Sequence, residues 1–356
     1  MRIGLLGLPQ AGKKTLFRLL TKTDPKPGAS GNGGIPGVCP VRDPRMDRLV
    51  ALYRPAKTTP ASIQYLLLPD LTKEASTNQE LFKSLALLDV LAVIVRAFQD
   101  DSIFHLDGSV DAVRDLEMIQ AEMLLNDLVF LEKRLERIAK ERTRQGAQDR
   151  SLETALLTKL QAYLNERKPL RTLTLAPHEE KLLSGAPLLT RKPLLVILNV
   201  DDTALRDVAG VEALRQRYAA QALHIVPVSA KIEDELAQLE DPADRAAFLK
   251  ELGMTESAID RLTRVSYEAL GLLSYFTVGT DEVRAWTVRR GSSAAEAGGA
   301  IHSDIERGFI RAELMKIDDL LALGSEQAVA SAGKAQLKGK EYIVEDGDIL
   351  NFRFSV

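Results

Sequence analysis

Apolar positions along the 356-residue chain fall into two alternating patterns. Short continuous apolar runs occupy Arg2–Gly7, Ala61–Leu68, Val90–Val95, Pro193–Val200 and His224–Val228. Such runs predict strands of a parallel sheet covered on both faces. Helical spacing between them predicts helices over Lys13–Lys22 and Asn78–Leu88, so the two patterns together read as α/β. From Asp111 to Lys168 the period changes. Leu116, Ile119, Met123, Leu124, Leu128, Leu131, Leu135 and Ile138 form one stripe, and Leu152, Leu156, Leu160 and Tyr163 a second, with a polar break around Gly146 between them. This predicts an antiparallel helical hairpin inserted into the sheet domain. Helical segments follow at Asp241–Leu252 and Thr255–Leu270. From about Ser274 the chain breaks into short strands: Ser274–Val278, Arg284–Val288, Phe309–Leu314, Glu341–Val344 and Ile349–Phe354. With a helix over Asp318–Leu323 they suggest a small mixed sheet wrapped on a helix. The expected divisions are 1–110 and 193–273 for a split sheet domain, 111–192 for the helical insert and 274–356 for the C-terminal module.

Composition adds little to this except by exclusion. Hydrophobic residues make up 45% and charged residues 27%, as in an ordinary globular protein. A net charge of −3 leaves no global field for nucleic acid, so any such contact needs a local patch, and nothing points to DNA. The single cysteine, Cys39, excludes an internal disulfide and a cysteine zinc cluster. His105, His178, His224 and His302 lie too far apart for metal-ligand spacing, and no metal ligand is assigned. With no secretory signal or membrane-length apolar run, the expected location is the cytoplasm and no membrane contact is foreseen.

The chemistry concentrates at the first strand. In Gly7-Leu8-Pro9-Gln10-Ala11-Gly12-Lys13-Lys14-Thr15 two glycines bracket four residues and a lysine follows, the spacing of a phosphate-binding loop. Glycines permit close backbone approach, the helix N-terminus offers amides, and the lysine reaches the β- and γ-phosphates. The phosphate-binding candidates are therefore Gln10, Ala11, Gly12, Lys13, Lys14 and Thr15; the rival is an unrelated glycine turn. The position after Lys13 should carry the hydroxyl that ligates Mg²⁺. Lys14 stands there instead, and Thr15 comes one residue late. The glycine- and proline-rich stretch Thr23–Gly37 reads as a loop, and no threonine lies between Asp24 and Thr58 to close over a metal. After the strand Ala61–Leu68, Leu67 takes the place of a Walker B aspartate and Asp70 that of the switch glycine.

Two further patches are candidates. Asn199 and Asp202 are spaced N-x-x-D at a strand end and Ser229-Ala230-Lys231 forms a later turn. These are the positions where an amide and a carboxylate read a purine base, so Asn199, Val200, Asp202, Ser229 and Ala230 form the base-binding set. Val200 replaces the lysine that would stack on guanine, which leaves the choice of ATP or GTP open. The hairpin tip, Glu132–Arg150, carries Lys133, Arg134, Arg137, Lys140, Arg142, Arg144 and Arg150 against Glu132, Glu136, Glu141 and Asp149. It is either a solvated face of mixed charge or a phosphate-backbone contact.

Taken together, the chain resembles the YchF / Obg-like ATPase family of P-loop NTPases. The likeness rests on YFTVGTDEVRAWTV, IHSDIERGFIRAEL, GKEYIVEDGDILNFRFSV and PHEEKLLSGAPLLTRKPLLVILNVDD, and runs nearly end to end. The resemblance implies a P-loop NTPase G domain, an inserted α-helical coiled-coil hairpin and a C-terminal TGS-like domain of β-grasp type. It also implies slow ATP hydrolysis and association with ribosomes; if the hairpin contacts rRNA, the basic tip must supply that contact. Leu71 matches the apolar residue that the family carries in place of a catalytic glutamine. His105, in DDSIFHLDG, matches a histidine the family is thought to use in hydrolysis. The departures at Lys14, the switch segment, Leu67 and Asp70 all touch Mg²⁺ or the γ-phosphate. Three readings stand: a purine-nucleotide-binding protein with weak or absent Mg²⁺-dependent hydrolysis, a slow active switch, and a scaffold with an empty pocket.

Overall fold

The computed structural model describes residues 2–25, 34–72, 75–142, 150–205 and 207–355. The chain divides into two compact units, Met1–Gly37 with Gln64–Leu262 and Val38–Ile63 with Thr263–Val356. The strands among the described residues are β1 (Arg2–Gly7), β2 (Ile35–Pro40), β3 (Lys57–Thr59), β4 (Ser62–Leu67), β5 (Val90–Ala97), β6 (Leu194–Val200), β7 (Leu223–Val228), β8 (Leu272–Thr277), β9 (Glu282–Arg289), β10 (Phe309–Lys316), β11 (Gln336–Lys338) and β12 (Asp348–Phe354).

One sheet has the order β2-β4-β1-β5-β6-β7. The pairings of β1 with β4 and β5, and of β6 with β5 and β7, are all parallel. Every residue of β6 is buried, as are all but the last of β5, which is why these strands read as unbroken apolar runs. Leu6, Leu91, Val93 and Val196 share a core with Phe82 and Leu85 of the helix Ala75–Ala86 and with Leu116 and Ile119 of the helix Ala112–Arg142.

That second helix runs for 31 residues and packs along Ser151–Asn165. Leu131 and Ile138 meet Leu156, Leu157, Leu160 and Leu164, so the two stripes bury one another. Arg134 reaches Glu153 while Arg150 reaches Glu141, a register that requires antiparallel helices. Asp127, fully buried, accepts bonds from the Leu189 and Thr190 amides and the Thr190 hydroxyl, which fixes the return of the chain toward β6. Arg144, Gly146 and Asp149 of the tip lie outside the described residues, as does the Arg142 side chain.

The other sheet has the order β11-β10-β12-β8-β9-β3. Here β12 pairs antiparallel with β10 and parallel with β8, and Tyr275 stacks on Trp286 with ring centroids 6.5 Å apart. The segment 38–63 belongs to this unit. Its β3 adds parallel to β9, and Arg45 bonds both Asp43 and Asp346 while lying 5.4 Å over the Phe276 ring.

Two expected elements differ from the structure. Of the loop expected over Thr23–Gly37, Ile35–Gly37 instead open β2, and residues 26–33 lie outside the described residues. The strand expected at Glu341–Val344 does not form; Ile343 makes one isolated bridge to Ser293. The cause is the fully buried Asp348 carboxylate, which takes bonds from the Tyr342 hydroxyl, the Glu345 amide and Lys316 and so turns the chain tightly.

Candidate nucleotide site

The loop between β1 and the helix Lys13–Thr21 is shaped by close packing. A Cβ at Gly7 would lie 2.5 Å from the Ile94 carbonyl oxygen, so only glycine lets β1 leave the sheet so near β5. Gln10 and Gly12 both hold left-handed backbone, with φ of 62° and 92°. Gly12 sits at the N-cap without a side chain, which leaves the first-turn amides uncapped by any side chain. Such a helix start favours an anion.

Asn199, buried at the end of β6, links two loops that are distant in sequence. Its Nδ2 donates to the Ala11 carbonyl at 3.0 Å, and its Oδ1 accepts from the Ala230 amide at 3.1 Å. One side chain therefore holds the phosphate-loop candidates Ala11 and Gly12 beside the base-turn candidates Ser229 and Ala230. The adjacent aspartates do different work. Asp201 accepts from the Thr203 and Ala204 amides and the Thr203 hydroxyl, which hold its carboxyl below the usual range and start a short helix. Among the described residues Asp202 accepts a long 3.4 Å bond from the Ser229 hydroxyl, and Val200 is buried in the sheet core.

Lys13 is 5% exposed and already engaged. Its ammonium donates to the Pro69 carbonyl at 2.8 Å and pairs with Asp70 Oδ1 at 2.7 Å. Burial pulls its pKa below the ordinary lysine value, and Asp70 opposes that shift. Lys14 is exposed, Thr15 is partly buried, and Leu67 is 2% exposed in the core. At the two positions where Mg²⁺ would need oxygen donors the chain offers an ammonium and an alkyl group. Neither can ligate it, so these two positions do not fit a protein-held Mg²⁺.

His105 lies against the loop, lining one crevice with Leu8, Pro9, Ala11, Arg96 and Asp115. Both ring nitrogens are used: the Asp107 amide donates to Nδ1 at 3.1 Å, so Nε2 carries the proton and donates to Asp115 Oδ2 at 2.9 Å. Buried Arg96 holds the 98–104 turn through the carbonyls of Phe98, Asp100, Ile103 and Phe104. Sequence spacing pointed to neither Arg96 nor the seating of Asp70 on Lys13. The second had a signal, since Asp70 stands where a glycine was expected, but spacing gives no side-chain direction.

Comparison with known proteins extends this picture. The family YchF-GTPase_C, described as "Protein of unknown function (DUF933)", matches residues 272–355. The "Ribosome-binding ATPase YchF" of Bacillus subtilis is 39% identical over 364 residues, spanning 99% of this chain and 99% of the relative. "Obg-like ATPase 1" of Caenorhabditis elegans is 35% identical over 368 residues, spanning 100% of this chain and 92% of the relative. The solved Schizosaccharomyces pombe YchF GTPase superposes with a TM-score of 0.84 at 32% identity, over 99% of this chain and 97% of that one.

Proposed function

This chain belongs to the YchF / Obg-like ATPase family, and we propose that it binds a purine nucleotide, acts in the cytoplasm at the ribosome, and has weak or absent Mg²⁺-dependent hydrolysis. The observation that carries the nucleotide reading is the Asn199 bridge from Ala11 to Ala230, because it brings a phosphate loop and a base turn to one place. Gln10, Ala11, Gly12, Lys13, Lys14 and Thr15 would hold the phosphates through amides and ammonium groups. Asn199, Val200, Asp202, Ser229 and Ala230 would hold the base. Asp202 can accept from the guanine N1 and N2 hydrogens, for which adenine has no matching donor pair, and no lysine stacks at Val200. A strong preference between ATP and GTP is therefore not built in.

The donor set supports weak hydrolysis. Phosphoryl transfer depends on neutralising charge across the β/γ bridge, and Lys14 and Leu67 give Mg²⁺ no oxygen there. His105 would need to leave Asp115 before it could serve any other proton. A second reading, a scaffold with an empty pocket, is favoured by one observation: Lys13 is charge-balanced by Asp70 without a ligand.

The relatives' names carry the ribosomal role, and we read 111–192 as an inserted helical module and 274–356 as a TGS-like one. In the insert, Lys133 and Arg137 are exposed and suited to phosphate backbone. Calorimetric titration of ATP, GTP and ADP with and without Mg²⁺ tests the nucleotide reading. Binding that needs no Mg²⁺ is expected, whereas no binding of any of the three would leave only the scaffold.

A further inference from the structure

The anion that Lys13 holds belongs to the chain itself. Asp70 Oδ1 lies 2.7 Å from the ammonium and the neighbouring Pro69 carbonyl 2.8 Å from it, so two of its three donors are taken. The lysine is buried while the Asp70 side chain is 44% exposed. Asp70 therefore approaches from the solvent side and holds its carboxylate on the cation that a phosphate oxygen would use. The backbone brings the residue there: the Leu68 amide donates to the Leu5 carbonyl and the Leu71 amide to the Gly7 carbonyl, which fasten both flanks of Pro69-Asp70 along β1 and leave the side chain free to turn.

A lysine in this place serves the β- and γ-phosphates together. If Asp70 stays, a terminal phosphate meets a fixed carboxylate. If Asp70 swings out, the phosphate must replace an ion pair already made. In ordinary sites of this kind a metal ion relieves such crowding of negative charge, but Lys14 and Leu67 supply no oxygen to hold one. Repulsion grows with each phosphate beyond the second, whereas the amides at the start of the helix Lys13–Thr21 still serve the inner phosphates.

We propose that Asp70 is a specificity-determining residue which makes this site take purine nucleoside diphosphates in preference to triphosphates. The inference rests on the nucleotide-binding reading above and names the ligand class of that same site. A Lys13-bound carboxylate occupies one anion position and leaves a ligand with fewer charges as the better fit. The protein then reads the diphosphate state without first making it.

The test is calorimetry of the full chain with ADP, ATP, GDP and GTP in EDTA, using wild type, Asp70→Asn and Asp70→Gly. The asparagine keeps shape and removes charge; the glycine removes the side chain altogether. Wild type should bind each diphosphate at least about tenfold tighter than its triphosphate. Both variants should narrow that ratio to within about threefold, chiefly by gaining triphosphate affinity. Thermal melts confirm that each variant is folded. A ratio unchanged by both substitutions, with nucleotide still bound, overturns the role of Asp70 and leaves the nucleotide reading intact. A triphosphate preference in wild type does the same. Absence of binding by all three proteins overturns the nucleotide reading and this inference with it.

Discussion

A Cβ on Gly12 would stand 2.3 Å from Nδ2 of Asn199, the side chain that ties the phosphate loop to the Ala230 turn. The approach cannot relax cheaply, because Asn199 is 3% exposed and bonded at both ends of its amide. Gly12→Ala must therefore displace that bridge and also hold alanine at φ 92°. The combined cost is about 2–4 kcal/mol of stability, from left-handed strain and overpacking. Urea denaturation measures it, and calorimetry should show nucleotide affinity falling together with stability. A variant as stable as wild type would mean that the loop and Asn199 do not pack so closely.

The donor set at Lys14 and Leu67 bears on metal dependence. Removing Mg²⁺ with EDTA should change nucleotide affinity by less than about tenfold, or about 1.4 kcal/mol. Titrations in Mg²⁺ and in EDTA make the comparison. A larger loss in EDTA would show that the nucleotide itself recruits a metal despite the missing protein oxygens.

Glu233 gives a pH dependence. It is 4% exposed, its carboxylate accepts from the Ala258 amide at 2.6 Å, and burial pushes its pKa up to about 7 from 4.5. The folded state therefore favours the protonated acid. That contribution is fully present below about pH 4.5 and is lost as pH rises through about 7. Glu233→Gln keeps an acceptor for Ala258 and carries no charge, so it should gain on wild type by up to about 3 kcal/mol at pH 8 and by little at pH 5. Melting curves at both values decide it, and an advantage independent of pH would refute the account.

The hairpin separates two kinds of basic residue. Arg134 and Arg150 pair with Glu153 and Glu141 across the two helices, whereas Lys133 and Arg137 are exposed. Arg134→Ala should cost about 0.5–1 kcal/mol of stability and leave ribosome binding unchanged. Lys133→Ala with Arg137→Ala should do the reverse, weakening ribosome co-sedimentation chiefly at low salt and lowering the salt slope by roughly one unit for each phosphate no longer neutralised. Equal binding by the double variant and wild type at two salt concentrations would identify the tip as a solvated face.

Much of the fold was legible because its signals are local. Unbroken apolar runs such as Val90–Val95 and Pro193–Val200 announce doubly covered parallel strands, and the matched leucine stripes on either side of Gly146 announce two helices that bury each other. The loop spacing from Gly7 to Lys13 depends on consecutive residues, so the sequence alone marked it, along with the oxygen donors missing at Lys14 and Leu67. The tertiary structure alone decided which side chains meet. No periodicity in the three residues of β3 could say that this strand joins the C-terminal sheet, since the pairing with β9 rests on backbone bonds and on Arg45 reaching Asp346 far along the chain. Likewise, sequence could place Asp70 in the loop after β4 but not its carboxylate on Lys13. That ion pair exists because parallel β1 and β4 carry both loops to the same end of the sheet, where a buried ammonium stripped of its water must find an anion.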